Sequence, residues 1–198
     1  MSIIATDLDG TIFKGQTLID GVREGLLEII NKGIEIYYTT NNSSQTPSEI
    51  KSKLENLLQL NIDISKIITP LVIFQNLYSD NKLDIYIYGS DNLKKYIKNL
   101  NMNVTSLEDA ELVLIGRKEE NNFSEINEII KNVSLGKNIL CLNKYLTFPT
   151  EFGEKAGNGA VVKIIEDELS ISIPTLGKSG DHYSSYFIQN KITVNYVI

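Results

Sequence analysis

The chain has 198 residues, 42% hydrophobic and 22% charged, a globular balance with length for one domain carrying an insertion or for two small ones. Its net charge of −6 and isoelectric point near 4.9 count against a nucleic-acid or anionic-membrane partner, because neither surface attracts an acidic protein. No run approaches the ~20 apolar residues of a membrane span, the N-terminus lacks the basic stretch of a secretory signal, and the single cysteine, Cys141, permits no internal disulfide. A cytoplasmic protein is expected, with Cys141 as a small buried hydrophobe.

The predicted elements alternate between strand and helix. Residues 2–6 form a short apolar run that ends in polar DLDGT, the pattern of a strand buried on both faces of a parallel sheet. Val22, Leu26, Ile29 and Ile30 recur at helical spacing over 22–31, and Gly33 stops that helix. A second strand over 34–38 ends in TTNNSS. Thr46-Pro47-Ser48-Glu49 opens a helix to about residue 58, with threonine capping, proline in the first turn and Glu49 bonding back to the cap. A short strand at 67–68 and a helix over 70–78 follow. The middle repeats the alternation, with strands at 84–88, 111–115 and 138–142 and helices at 92–99 and 124–132. Gly157-Asn158-Gly159 leads into a helix to about residue 168. The chain then passes through Gly177-Lys178 and finishes on a strand over 192–198. Such alternation predicts an α/β fold with a mostly parallel sheet, in which ligands bind beyond the carboxyl ends of the strands. The polar clusters just after strands are therefore the places to look for chemistry.

Asp7-Leu8-Asp9-Gly10-Thr11 is the first such cluster. Asp and Gly are common in turns, and a turn alone accounts for part of the pattern. Two carboxylates two residues apart can also do chemistry. One can attack phosphorus to form an aspartyl-phosphate. The other can protonate the leaving oxygen and then deprotonate water. Their mutual repulsion would be relieved by a divalent cation, and Mg²⁺ prefers oxygen ligands of this kind.

The string Asp7-Leu8-Asp9-Gly10-Thr11-Ile12 resembles the first motif of the haloacid dehalogenase superfamily. Thr40, within Tyr38-Thr39-Thr40-Asn41-Asn42-Ser43-Ser44, fits its second motif, and Lys178 after Gly177 fits its third. The TTNNSS string resembles the NagD-like subgroup, which includes p-nitrophenylphosphate, nucleotide, phosphoglycolate and pyridoxal phosphate phosphatases. Further likeness lies in Tyr88-Gly89-Ser90, in 110–116 and in Phe148-Pro149-Thr150-Glu151.

The resemblance implies a Mg²⁺-dependent phosphatase of small phosphomonoesters, of the nucleotide or sugar phosphate type. In it Asp7 is the nucleophile, Asp9 the general acid and base, and Thr40 and Lys178 bind the phosphoryl group, aided by Asn41 and Asn42. Asp7 and Asp9 hold the metal. The same resemblance implies a Rossmann-like core over 1–81 and 173–198 and an inserted α/β cap over 82–172 that selects substrate. The expected partner is a small phosphorylated metabolite; a homo-oligomer is left open. Arg117, Lys118, Asn143 and Lys144, in polar loops after strands, could meet an anionic substrate but are read in preference as solvated loop groups. Gly157-Asn158-Gly159 is read as a tight backbone turn in preference to an anion site. His182 has no role in this scheme and stands where the subgroup often has its proline nearby.

The superfamily's fourth motif, an acidic Gly-Asp loop with a further Asp, is expected directly after 192–198, where the sequence stops. On that reading the core is incomplete at its C-terminus and the 198-residue form is inactive or impaired. An enzyme and a non-catalytic fragment that keeps the substrate-binding fold both stay open. A receiver-like phosphoacceptor fits less well, because of the paired acids and the long insertion.

Overall fold

The computed structural model describes residues 2–79, 83–150 and 153–198. The chain runs β1 (Ile3–Asp7), a hairpin of β2 (Phe13–Lys14) and β3 (Thr17–Leu18), α1 (Val22–Asn31), β4 (Glu35–Thr39), α2 (Pro47–Leu58), β5 (Ile67–Ile68) and α3 (Pro70–Tyr78). It continues through β6 (Asp84–Tyr88), α4 (Asp91–Asn99), β7 (Asn103–Val104), β8 (Leu112–Ile115), α5 (Phe123–Ser134) and β9 (Asn138–Cys141). A hairpin of β10 (Thr147–Thr150) and β11 (Gly153–Ala156), then α6 (Asn158–Leu169), α7 (Asp181–Gln189) and β12 (Tyr196–Val197), complete it.

Two four-stranded parallel sheets result, ordered β12-β1-β4-β5 and β7-β6-β8-β9. Both are covered on two faces, which explains why their strands read as near-continuous apolar runs. Along β4, Ile36 and Tyr38 pack with Leu8, Phe13, Leu54 and Leu58 on one face, while Tyr37 packs with Leu71 and Phe74 on the other. Along β8, Leu112 and Leu114 join that second cluster, and Val113 and Ile115 meet Ile129, Val161 and Ile165 of α5 and α6. The period of two thus sends alternate residues of each strand into different cores. One of those cores contains Ile68 and Phe74 together with Ile85, Leu114 and Leu140, so it is shared between the two sheets.

Local signals explain the helix starts. In α2 the Glu49 N–H donates to Thr46 Oγ1 at 3.2 Å and the Thr46 N–H donates to Glu49 Oε2 at 2.7 Å, the reciprocal cap that the sequence predicts. Thr69 accepts from both Leu71 N and Val72 N at 3.2 Å to start α3, with Pro70 in the first turn.

Two expectations need correction. The final strand is not 192–198 but Tyr196–Val197, flanked by pairing of Asn195 N to Ile3 O and Asp7 N to Ile198 O. Residues 192–194 are spent on the return from α7, where Ile192 N bonds Phe187 O and Ile192 packs into the shared core. Helix α7 itself is unforeseen, because Asp, His, Ser and Tyr are weak helix formers. It is held instead by Tyr183, Tyr186 and Phe187, whose rings stack against each other and against Tyr37. The expected boundary at 81/82 and Glu151 of the quoted motif lie outside the described residues.

Candidate active site

Strand register builds the site. β1 and β4 pair parallel from Ile3↔Glu35 to Asp7↔Thr39, so Asp7 and Thr40 emerge at the same sheet edge. This is the carboxyl end of the central strands, where α/β sheets bind ligands. Gly10 follows with φ of +86°, a conformation that suits glycine. Its N–H bonds Phe13 O at 2.8 Å, folding the chain back into the β2–β3 hairpin and leaving Asp9 beside Asp7.

Four groups converge there. Lys178 Nζ lies 2.6 Å from Asp7 Oδ1, with the two side chains 27% and 40% exposed. Thr40 Oγ1 donates to Asp9 Oδ2 at 3.4 Å and accepts from Asn42 N at 2.9 Å. Asp9 keeps an exposed edge, yet crowding within the cleft raises its pKa; Lys53 opposes that rise and the adjacent Asp7 adds to it. Lys53 reaches in from α2 with its ammonium 3.5 Å from the centre of the Phe13 ring, and partial burial pulls its pKa down.

Beyond the carboxylates opens a cleft of about 300 Å³. One wall is Asn41, Asn42, Ser43 and Ser44; the other is Arg117, Asn143, Tyr145, Thr147, Gly157 and Asn158. None of these lining residues is aliphatic. Arg117 crosses the cleft to donate to Ser44 Oγ at 3.3 Å.

Residues 4–103, half of the chain, match the family of haloacid dehalogenase-like hydrolases. The chain belongs to that family. Among curated relatives it is 29% identical to an acid sugar phosphatase of Staphylococcus haemolyticus over 176 residues, which are 87% of this chain and 66% of that protein. The chain spans about two thirds of the length of the curated relatives it matches. Among solved structures, a hypothetical protein of Pyrococcus horikoshii superposes with a TM-score of 0.83 at 22% identity, covering 100% of this chain and 78% of that one. A variant of the thermostable p-nitrophenylphosphatase of Bacillus stearothermophilus gives 0.77 at 25% identity, covering 95% and 74%. The family assignment agrees with the resemblance read from DLDGT, Thr40 and Lys178.

The structure thus brings Asp7, Asp9, Thr40 and Lys178 together and lines the adjoining cleft with Asn41 and Asn42. Asn42 also shapes its loop, accepting from Ser44 N at 2.8 Å. Of the four loop groups read as solvated, Lys118 and Lys144 stay out of the cleft lining but are paired and not freely solvated, Lys118 with Glu125 and Lys144 with Glu166, their side chains 27% and 29% exposed. The other two are corrected, since Arg117 and Asn143 line the cleft and Asn143 is only 8% exposed. The Gly157-Asn158-Gly159 turn is a close approach: a Cβ at Gly159 would fall 2.2 Å from Lys144 O and one at Gly157 2.3 Å from Tyr145 O. Cys141 is buried, and burial pushes its thiol up to about 11, which suits an inert side chain. Sequence reasoning missed Lys53, Ser43, Tyr145 and Asn158. Only Lys53 left a local signal, as a cation on the helix that follows the second motif.

Among the described residues no helix is long and apolar enough to cross a membrane, and no three His, Cys, Asp or Glu side chains cluster to hold a metal.

Proposed function

We propose that this protein is a phosphatase of small, hydroxyl-rich phosphomonoesters such as sugar phosphates, working through an aspartyl-phosphate on Asp7. The observation that carries the reading is the Lys178–Asp7 contact at 2.6 Å, at the mouth of the cleft. A lysine so placed balances the charge of an attacking carboxylate and of a phosphate brought up to it.

In this mechanism an Asp7 carboxylate oxygen attacks phosphorus while the bond from phosphorus to the leaving oxygen breaks. Asp9, protonated, gives its proton to that leaving oxygen. Burial and the neighbouring Asp7 both favour the protonated form, which suits a general acid. Asp9, now a carboxylate, takes a proton from the water that attacks the intermediate, releasing phosphate and restoring Asp7. Thr40 and Lys178 hold the phosphoryl oxygens.

The Asp7 carboxylate and the backbone carbonyl of Asp9 would form an all-oxygen set that suits a hard divalent cation and leaves the Asp9 carboxyl free to carry its proton. Asp7 and Asp9 would hold Mg²⁺, which supplies positive charge to the transferring phosphoryl group. Mg²⁺ usually keeps several waters, so two protein oxygens are compatible with it.

The substrate class follows from the cleft wall. The side chains of Ser44 and Thr147 offer hydrogen-bonding atoms to a hydroxyl-rich leaving group, while those of Asn143 and Asn158 are buried and bonded within the protein. Tyr145, 57% exposed, offers a ring face to a sugar. On this reading 82–172, built around the second sheet, is the cap, and it contributes Arg117, Tyr145 and Thr147 to selection. The test is a panel of sugar phosphates, nucleoside monophosphates and aryl phosphates assayed with Mg²⁺ against wild type and Asp7→Asn. Preference for sugar phosphates and loss of all turnover in Asp7→Asn are expected. Turnover retained in Asp7→Asn would refute the nucleophile, and preference for nucleotides would refute the substrate class.

A further inference from the structure

Three buried asparagines form a continuous path from the far wall of the cleft to the loop that carries Lys178. Asn158 is 5% exposed at the start of α6, and its Nδ2 donates to Asn143 O at 2.8 Å and to Ile115 O at 3.2 Å. Asn143 Nδ2 donates to Asn41 O and to Ser43 Oγ, each at 3.1 Å. Asn41 Oδ1 accepts from the backbone N–H of Lys178 at 2.7 Å. Each amide orientation is fixed by its partners: Asn158 and Asn143 face carbonyl oxygens with nitrogen, and Asn41 faces an N–H with oxygen. Asn143 completes its set by accepting from Tyr145 N at 3.3 Å.

Packing fixes the same path. Gly177, the residue before Lys178, lies so close that a Cβ there would be 3.0 Å from Asn41 Oδ1 and 3.4 Å from Asn143 Cα and Cβ. Gly177 N is itself bonded to Thr175 Oγ1 at 3.2 Å, and Gly180 N to Gly177 O at 2.8 Å. The lysine loop is therefore clamped between its own turn and the two asparagines. Neutral amides suit such a task, since each both donates and accepts and can be buried without a charge to desolvate.

We propose that Asn143 is a positioning residue: by holding the Asn41 carbonyl and Ser43 it fixes the backbone of Lys178, and so the place of the ammonium at Asp7. The side chain of Lys178 is a flexible four-carbon stem, and its root must be held if its tip is to stay 2.6 Å from a carboxylate. Asn143 stands 102 residues from Asn41, and Asn41 137 residues from Lys178, so the path ties the wall that meets the leaving group to the group that meets the phosphate.

The inference rests on the phosphatase reading for its kinetic consequence, but not for its structural one, and the two are measured separately. Asn143→Ala removes both donations. Asn143→Leu keeps the branched shape and removes the donations without burying a charge, which covers the case of a misfolded alanine variant. Hydrogen exchange of the Lys178 amide, followed by NMR on the full chain, is expected to quicken roughly tenfold or more in either variant. With p-nitrophenyl phosphate as the probe, kcat is expected to fall roughly tenfold to a hundredfold, with a smaller change in KM. The double variant Asn41→Ala with Asn143→Ala is expected to be no slower than Asn41→Ala alone, because both act on one path. Unchanged Lys178 exchange in a folded Asn143→Leu chain would overturn the proposal. So would multiplicative rate losses in the double variant. Quickened exchange in the variants, with a wild-type chain that never turns over, would uphold the positioning role and count against the phosphatase reading of this form instead.

Discussion

Replacing Lys178 by methionine is the sharpest single perturbation of the site. Methionine keeps most of the stem, which is 27% exposed, so the change removes a charge with little loss of packing. The contact at 2.6 Å sets the scale. Two unit charges at that separation attract by roughly 6 kcal/mol at an effective dielectric of ~20 and by roughly 1.6 kcal/mol in water. With Asp7 40% exposed, water reaches the pair and the lower half of that range applies. A loss of about 2–4 kcal/mol of transition-state stabilisation corresponds to a fall of roughly 30- to 1,000-fold in kcat/KM. The assay is steady-state hydrolysis of p-nitrophenyl phosphate with Mg²⁺, beside a circular-dichroism melt that confirms folding. A folded Lys178→Met protein with wild-type kcat/KM would refute the electrostatic reasoning.

Three further outcomes are expected. Asp9→Asn should abolish steady turnover, and in metal-free protein it should also raise the melting temperature at neutral pH. The sign follows from the raised pKa of Asp9: the folded state holds its proton more tightly than the unfolded chain, so ionised Asp9 costs stability above the folded pKa, and that cost vanishes below the ordinary carboxylate range. The advantage of Asn should therefore shrink as pH falls toward about 4, and equal melting at all pH values would contradict it. Thr46→Ala breaks the reciprocal cap of α2 and should cost about 1 kcal/mol, or ~2–4 °C in melting temperature; an unshifted melt would show the cap to be redundant. Chelation with EDTA should stop hydrolysis and Mg²⁺ should restore it, whereas turnover that persists in EDTA would remove the metal from the mechanism.

Much of the site is legible in the sequence because it is built from local signals at strand ends. Asp7, Asp9 and Thr40 each follow a short apolar run, and parallel pairing of two such runs brings their polar ends together. Lys178 is different: a lysine after a glycine carries no local signal, and only its likeness to a family motif picks it out. The far wall of the cleft is legible only in part, since Arg117 and Asn143 stand out as polar groups after strands but nothing local marks them as buried or cleft-lining. Asn143 sits next to Lys144 in a polar loop, and its burial against Asn41 depends on how α6 and the lysine loop pack around it. Helix α7 lies between these cases. Its propensities are poor, yet Tyr183, Tyr186 and Phe187 recur at helical spacing and mark the face that packs on Tyr37. The final strand is read too long because Ile192 and Val194 alternate with Thr193 like strand residues, whereas Ile192 packs into the core beside α7.

The central claim is that Asp7 becomes phosphorylated during turnover. It is tested most directly by mixing the protein with a phosphomonoester that it hydrolyses, quenching with acid within a single turnover, and mapping the peptides by mass spectrometry. The account predicts a phosphoryl group on Asp7, absent from the Asp7→Asn chain. Turnover with no acyl phosphate on Asp7 at any quench time, or with the phosphoryl group on another residue, would contradict it.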